Sequence, residues 1–146
     1  VIAGDWDNTV TEGTEQQLKI TRFHVYPKYQ VNHRLANNDV AIIELKNAVT
    51  LNDFVTIASL PKSFRDFFNG RMCTIHGWGA TNPNGEWESR LRAAQVVMYN
   101  RTACARVAAG SANQRESSIC VGYPQGGIDS CSGDSGGALM CQDSDG

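Results

Sequence analysis

The sequence is poor in several features, and each shortage removes a class of function. Positive charge is not in excess: thirteen Lys and Arg against fifteen Asp and Glu leave a formal charge of −2 over 146 residues. A protein that works on nucleic acid needs a basic surface to neutralise phosphates, so nucleic acid is not an expected partner. No apolar run approaches the ~20 residues of a membrane-spanning helix, and no charged start followed by an apolar stretch resembles a secretory signal. A membrane is therefore not an expected partner either. Repeats and low-complexity tracts are absent, and the 14 Gly and 4 Pro are ordinary for a globular domain. The first residue is Val1, not Met, which leads us to expect a processed, internal or incomplete sequence.

Five cysteines are present, at 73, 104, 120, 131 and 141, without a C-x-x-C pair of the zinc or thioredoxin kind. A disulfide framework is the better expectation, and with it an oxidising, extracellular compartment. Two bridges and one leftover can be drawn in fifteen ways, five choices of leftover times three pairings of the other four. The count alone does not choose among them.

The texture of the chain is all-β. Short alternating or β-rich stretches recur at 18–25, 40–45, 72–76, 91–99 and 137–141, most of them bounded by Gly, Pro, Asn or Asp. The one helical stretch expected lies near 102–109, where Thr102 is placed to cap it and Gly110 to end it. Strands at this spacing suit a sandwich or barrel, a class that commonly runs to roughly 200–250 residues as one domain.

The most informative segment is Gly127-Ile128-Asp129-Ser130-Cys131-Ser132-Gly133-Asp134-Ser135-Gly136-Gly137. A serine between glycines is accessible, and glycines permit the sharp backbone that aims successive N–H groups at one point. A nucleophile with an oxyanion hole requires both. A flexible Gly-Ser turn is the plain alternative for so short a pattern. The nucleophile elbow of α/β-hydrolases also fits Gly133-Asp134-Ser135-Gly136-Gly137, but it needs a helix straight after the serine and a histidine later in the chain. Only eleven residues follow Ser135, none of them His, and the next segment is strand-like.

The longer string, taken with Asn37-Asn38-Asp39-Val40-Ala41 and Gly77-Trp78-Gly79, resembles the trypsin and chymotrypsin family of serine proteases over the whole chain. The resemblance implies two antiparallel six-stranded β-barrels, incomplete at both ends. Residues 1–60 would be the remainder of the N-terminal barrel and 61–146 most of the C-terminal one, with the boundary near Pro61. It implies a secreted zymogen that becomes a serine endopeptidase and hydrolyses peptide bonds through an acyl-enzyme. Ser135 would be the nucleophile, Asp39 the triad aspartate, and the N–H groups of Gly133 and Ser135 the oxyanion hole. Asp134 would pair with the new N-terminal ammonium after activation. Asp129, with Ser130 beside it, would sit at the floor of the primary specificity pocket, where a carboxylate favours cleavage after Arg or Lys.

The same resemblance pairs Cys73 with Cys141 and Cys104 with Cys120, and leaves Cys131 to a partner outside the sequence. It implies polypeptide substrates and protein inhibitors as partners, and no cofactor for catalysis. It also implies a structural Ca²⁺ in the acidic segment 5–15, with carboxylates from Asp5 and Glu15, backbone carbonyls from Asp7 and Val10, and a water-mediated contact from Glu12. Oxygen ligands suit that ion, whereas an EF-hand fails for want of a glycine at Val10; a solvated acidic turn is the competing reading. Asn100-Arg101-Thr102 is the sole N-glycosylation sequon.

No histidine stands in the family's Ala-Ala-His-Cys setting. His24 falls in a strand-like stretch, His33 in the loop before Asp39 and His76 beside Gly77, so each is expected to be structural or surface-exposed and the base to lie upstream of Val1. A triad enzyme without its base keeps only on the order of 10³–10⁴ over water, so the polypeptide as written is expected to be nearly inactive. Two other readings stand beside this one. One is a non-catalytic homologue that binds partners, against which the joint presence of Asp39, Asp129, Asp134 and Ser135 argues; the other is an active protease of chymotrypsin-like preference.

Overall fold

The computed structural model describes residues 1–32, 35–62, 70–82, 84–107 and 118–142. The chain divides into two compact units, Val1–Leu60 and Pro61–Gly146. Both are built from antiparallel strands, in agreement with the all-β expectation.

In the first unit, β1 (Ile2–Ala3) pairs with β2 (Gln16–Gln17), β3 (Ile20–Val25) with β6 (Ala41–Leu45), and β4 (Gln30–Asn32) with β5 (Leu35–Asn37). The register of β3 and β6 sets Phe23 against Ile43 and Val25 against Ala41, while His24 faces Ile42 and Arg22 faces Glu44. Because strand side chains alternate between faces, one side of this ribbon carries the apolar Phe23, Val25, Ala41 and Ile43. Gly4, at the end of β1, has φ +76°, and a Cβ there would lie 2.5 Å from the carbonyl oxygen of Thr14. Only glycine lets the two ends of the acidic loop approach so closely.

The second unit is a four-stranded sheet in the order β10-β7-β8-β9, made of β7 (Met72–Gly77), β8 (Arg92–Tyr99), β9 (Cys120–Gly122) and β10 (Leu139–Cys141). Its core is Cys73, Val96 and Met98, with Ile75, Val121, Leu139 and Cys141 packed against them. Burial of Val96 and Met98 contributes roughly 1.5–3 kcal/mol each. The register places Cys73 beside both Val96 and Cys141, and the Cys73–Cys141 disulfide joins neighbouring strands there, with Cα atoms 4.1 Å apart. The second disulfide, Cys104–Cys120, ties the helix α1 (Arg101–Val107) to the start of β9. Cys131 forms no disulfide and is half-buried. The two bridges are those implied by the resemblance.

The helix is present, but its cap differs from expectation. Asn100, not Thr102, stands at the N-cap: its Oδ1 accepts the N–H of Ala103 at 2.8 Å, and its carbonyl accepts that of Cys104 at 2.8 Å. Asn is as good a cap as any residue, and the helix begins two residues sooner than a Thr102 cap allows. Positions 108–110, where the helix was expected to run on and end, lie outside the described residues, as does His33.

Candidate active site

Ser135 lies in the turn between β9 and β10. It is exposed and flanked at short range by Gly133 (φ +102°) and Gly136 (φ +85°). Any other residue at such angles costs about 1–2 kcal/mol, so two glycines are what this turn demands. The turn is closed by hydrogen bonds from Asp134 N–H to the Cys131 carbonyl and from Gly137 N–H to the Asp134 carbonyl, both 3.0 Å. The N–H groups of Gly133 and Ser135 have no protein acceptor among the described residues. Backbone donors are seldom left unsatisfied, and two such N–H groups beside an exposed serine are able to donate to an anionic oxygen.

The Asp134 side chain turns inward. Its Oδ1 accepts Gly79 N–H at 2.8 Å and its Oδ2 accepts Cys131 N–H at 2.9 Å. Gly77 and Gly79 provide the space: a Cβ would lie 1.9 Å from Oδ1 at Gly77 and 2.5 Å at Gly79. The Gly77-Trp78-Gly79 motif is thus the seat of this carboxylate, a role that sequence reasoning missed because the partners lie 55 residues apart.

Asp129 and Ser130 are exposed, and the Asp129 Oδ1 accepts Ser130 N–H at 2.8 Å. Both line a cavity of about 900 Å³ that also carries Asp134 and Ser135, with Ile75, Val121 and Leu139 supplying apolar wall. The structure therefore brings four of the expected site residues to one concavity. Asp39 belongs to the first unit, exposed at the centre of a tight turn in which Val40 N–H donates to the Asn38 carbonyl at 3.0 Å. Asn38 makes that turn possible, with φ +52° and its amide donating to the Lys28 carbonyl at 3.0 Å. His24 pairs with Glu44, Nε2 to Oε2 at 2.9 Å, and His76 is half-buried in β7.

In the acidic loop, carboxylate oxygens of Asp5, Glu12 and Glu15 all lie within 4.8 Å of one another. The Asp5 Oδ1 is buried with no hydrogen-bond partner among the described residues. Glu15 accepts the N–H groups of Glu12 (2.6 Å) and Gly13 (2.8 Å); these bonds, that of Glu12 foremost, hold its carboxyl below its ordinary value and keep it charged. Three hard carboxylates and an unsatisfied buried oxygen fit Ca²⁺. Glu12 stands with the other two carboxylates in this cluster. Asp7 is instead a hub for the loop itself, its Oδ1 accepting both the N–H and the hydroxyl of Thr9.

A family model described as Trypsin matches residues 1–145. The chain is 32% identical over 141 residues to chymotrypsin-like elastase family member 1 of Rattus norvegicus, a match that covers 97% of this chain and 53% of that protein. It is likewise 32% identical over 145 residues to fibrinolytic enzyme, isozyme C, of Lumbricus rubellus, covering 98% of this chain and 60% of that one. Among solved structures it resembles neuropsin, a serine protease expressed in the limbic system of mouse brain, with a TM-score of 0.84 and 30% identity over 96% of this chain and 60% of neuropsin. The chain spans little more than half the length of the curated relatives it matches.

Proposed function

Since the chain belongs to the trypsin family of serine proteases, we propose that it is the part of a secreted serine endopeptidase that carries the nucleophile, the oxyanion donors and the triad aspartate. The observation that carries this reading is the exposed Ser135 beside two N–H groups, those of Gly133 and its own, that have no protein acceptor among the described residues. The chemistry is that of the Ser-His-Asp triad, for which this family is the standard case. A histidine accepts the Ser135 proton as Oγ attacks the peptide carbonyl, the oxyanion rests on the two N–H groups, and the histidine passes its proton to the departing amine. Water then hydrolyses the acyl-enzyme. Asp39 orients the histidine, which we assign to none of the three in this sequence; His24 is already engaged by Glu44. Asp134 is proposed to receive the N-terminal ammonium of the activated enzyme, and Cys131 to pair with a cysteine outside these 146 residues.

For the substrate, we assign the Asp129 carboxylate to an Arg or Lys side chain, supported by its exposure on the cavity wall beside Ser130. A cation in a partly apolar slot needs a fixed countercharge. The elastase named among the relatives favours a second reading, cleavage after small or apolar residues. Asp5, Glu12 and Glu15 would hold a structural Ca²⁺, with Asp7 and Val10 carbonyls completing its shell; bound there, the ion cross-links the loop and plays no part in hydrolysis.

The test uses the full-length, activated protein and a dialkyl fluorophosphate. Modification at Ser135 supports the enzyme reading, and its failure supports a non-catalytic homologue. Cleavage rates that do not distinguish Arg from Phe or Ala before the scissile bond remove the role given to Asp129.

A further inference from the structure

Residues 78–82 and 84–88 are the two arms of an irregular hairpin that sets one aromatic ring against the turn of Ser135. Glu88 N–H donates to the Trp78 carbonyl at 3.0 Å, and Ala80 forms an isolated antiparallel bridge with Trp87. Ala80 N–H then reaches across to the carbonyl of Ser132 at 2.9 Å. That carbonyl and the Gly133 N–H belong to the same planar trans peptide and point in opposite directions, so this one bond fixes where the Gly133 N–H is aimed. The position that a Cβ would take at Gly133 lies 3.0 Å from the Cα of Gly79, and 3.3 and 3.4 Å from Cε2 and Cδ2 of Trp87. The space that a side chain at position 133 would need is therefore filled by a backbone carbon and an indole ring.

Trp87 is 70% exposed, so burial of its own surface gives little reason for a tryptophan. Its place against the open side of Gly133 gives one. Glycine populates both signs of φ readily, and a reversal of the 132–133 peptide needs room for its carbonyl and N–H to swing beside Gly79 and Trp87, which crowd that side of Gly133. We propose that Trp87 is a positioning residue for the Gly133 N–H: its indole blocks that swing and so keeps the donor aimed beside Ser135. The inference rests on the reading of Ser135 as nucleophile and of the Gly133 N–H as an oxyanion donor.

The test compares Trp87→Ala and Trp87→Phe in the full-length, activated protein. One readout is the rate of Ser135 modification by a dialkyl fluorophosphate, a reagent with no peptide to contact the indole. The other is kcat and KM on a peptide anilide, whose leaving group ends at the aromatic ring. A lost oxyanion donor lowers kcat by about 10²–10³, and a donor that is merely misaimed for part of the time loses less. Trp87→Ala is therefore expected to slow both modification and kcat by about tenfold with KM within about twofold, and Trp87→Phe to restore most of the rate. Thermal unfolding of Trp87→Ala near that of the parent shows that the fold is intact, as the exposure of the ring leads one to expect. Unchanged rates in the Ala variant overturn the proposal, and so does a raised KM at unchanged kcat, which makes the indole a substrate contact instead. If the parent itself is not modified at Ser135, the nucleophile assignment fails and the proposal with it. If the parent is modified and the Ala variant reacts as fast, the role of Trp87 alone is rejected.

Discussion

Asp134 shows how a single short side chain organises a site. It is half-buried, and its two oxygens bind N–H groups of Gly79 and Cys131 from two separate segments, so the hairpin and the turn are fastened through one carboxylate. Hydrogen bonds to a charged group contribute about 1.5–3 kcal/mol, and neither donor has an alternative in place. A methyl group at Gly77 would lie 1.9 Å from Oδ1, which forces the carboxylate off the Gly79 N–H. Gly77→Ala is expected to cost about 2–3 kcal/mol, read as a lower urea midpoint at unchanged slope. The double variant with Asp134→Ala should cost clearly less than the sum of the two single ones, because the methyl has nothing to displace once the carboxylate is gone. Additive costs would show that the two residues are not coupled. The glycine-flanked serine was legible in the sequence because it is a local signal. The seat of Asp134 and the ring over Gly133 were not, since both depend on contacts between segments far apart in the chain.

At the scale of elements, the stretches that carried a visible alternation are the ones found as strands: β3, β6, β7, β8 and β10 all fall within or across the expected segments. Unforeseen were β1, β2, β4, β5 and β9, each two or three residues long, too short for a period of two to show. Disulfide pairing was legible only through the family resemblance, because the spacing alone allows fifteen patterns. The helix is marginal by length, seven residues where isolated helices need about 12–15 to hold. It depends on its cap and on the Cys104–Cys120 bridge, worth roughly 3 kcal/mol for a 16-residue separation by the chain-entropy argument. Asn100 serves as that cap and as the sequon asparagine, and two substitutions separate the roles. Asn100→Ala removes both and is expected to cost about 1 kcal/mol of stability even in protein made without glycosylation. Thr102→Ala removes only the sequon and, in the same unglycosylated protein, should leave stability within about 0.5 kcal/mol. A larger loss in Thr102→Ala than in Asn100→Ala, read by urea titration, would return the cap to Thr102.

The two units are held together internally by different forces. Every fully buried apolar side chain and both disulfides among the described residues belong to the second unit. In the first, the one buried side chain among the described residues is the polar Asp7, 6% exposed. Its order rests on short ladders and on polar ties, such as the reciprocal pair in which the Gln16 amide donates to the Thr50 carbonyl at 2.8 Å and accepts the Thr50 N–H at 2.9 Å. Regions with few buried apolar contacts open at lower free energy than a packed core. In this 146-residue chain, amides of β3 and β6 are therefore expected to exchange with solvent faster than those of β7 and β8. The acidic loop sharpens the contrast. Without a cation, the carboxylates of Asp5, Glu12 and Glu15 within 4.8 Å repel one another, so the loop gains from an ion. An ion that binds only the closed loop lowers the open fraction by the factor 1 + [L]/Kd. Hydrogen exchange on the full-length protein, chelated and then supplied with Ca²⁺ at about 100 times its Kd, should slow by up to about a hundredfold in amides of the loop and of β1 and β2. Exchange in β7 and β8 should be unchanged. Asp5→Asn removes the buried oxygen's charge and should abolish the slowing. Protection that appears equally in both units, or that survives Asp5→Asn, would rule out the acidic loop as the site where the ion acts.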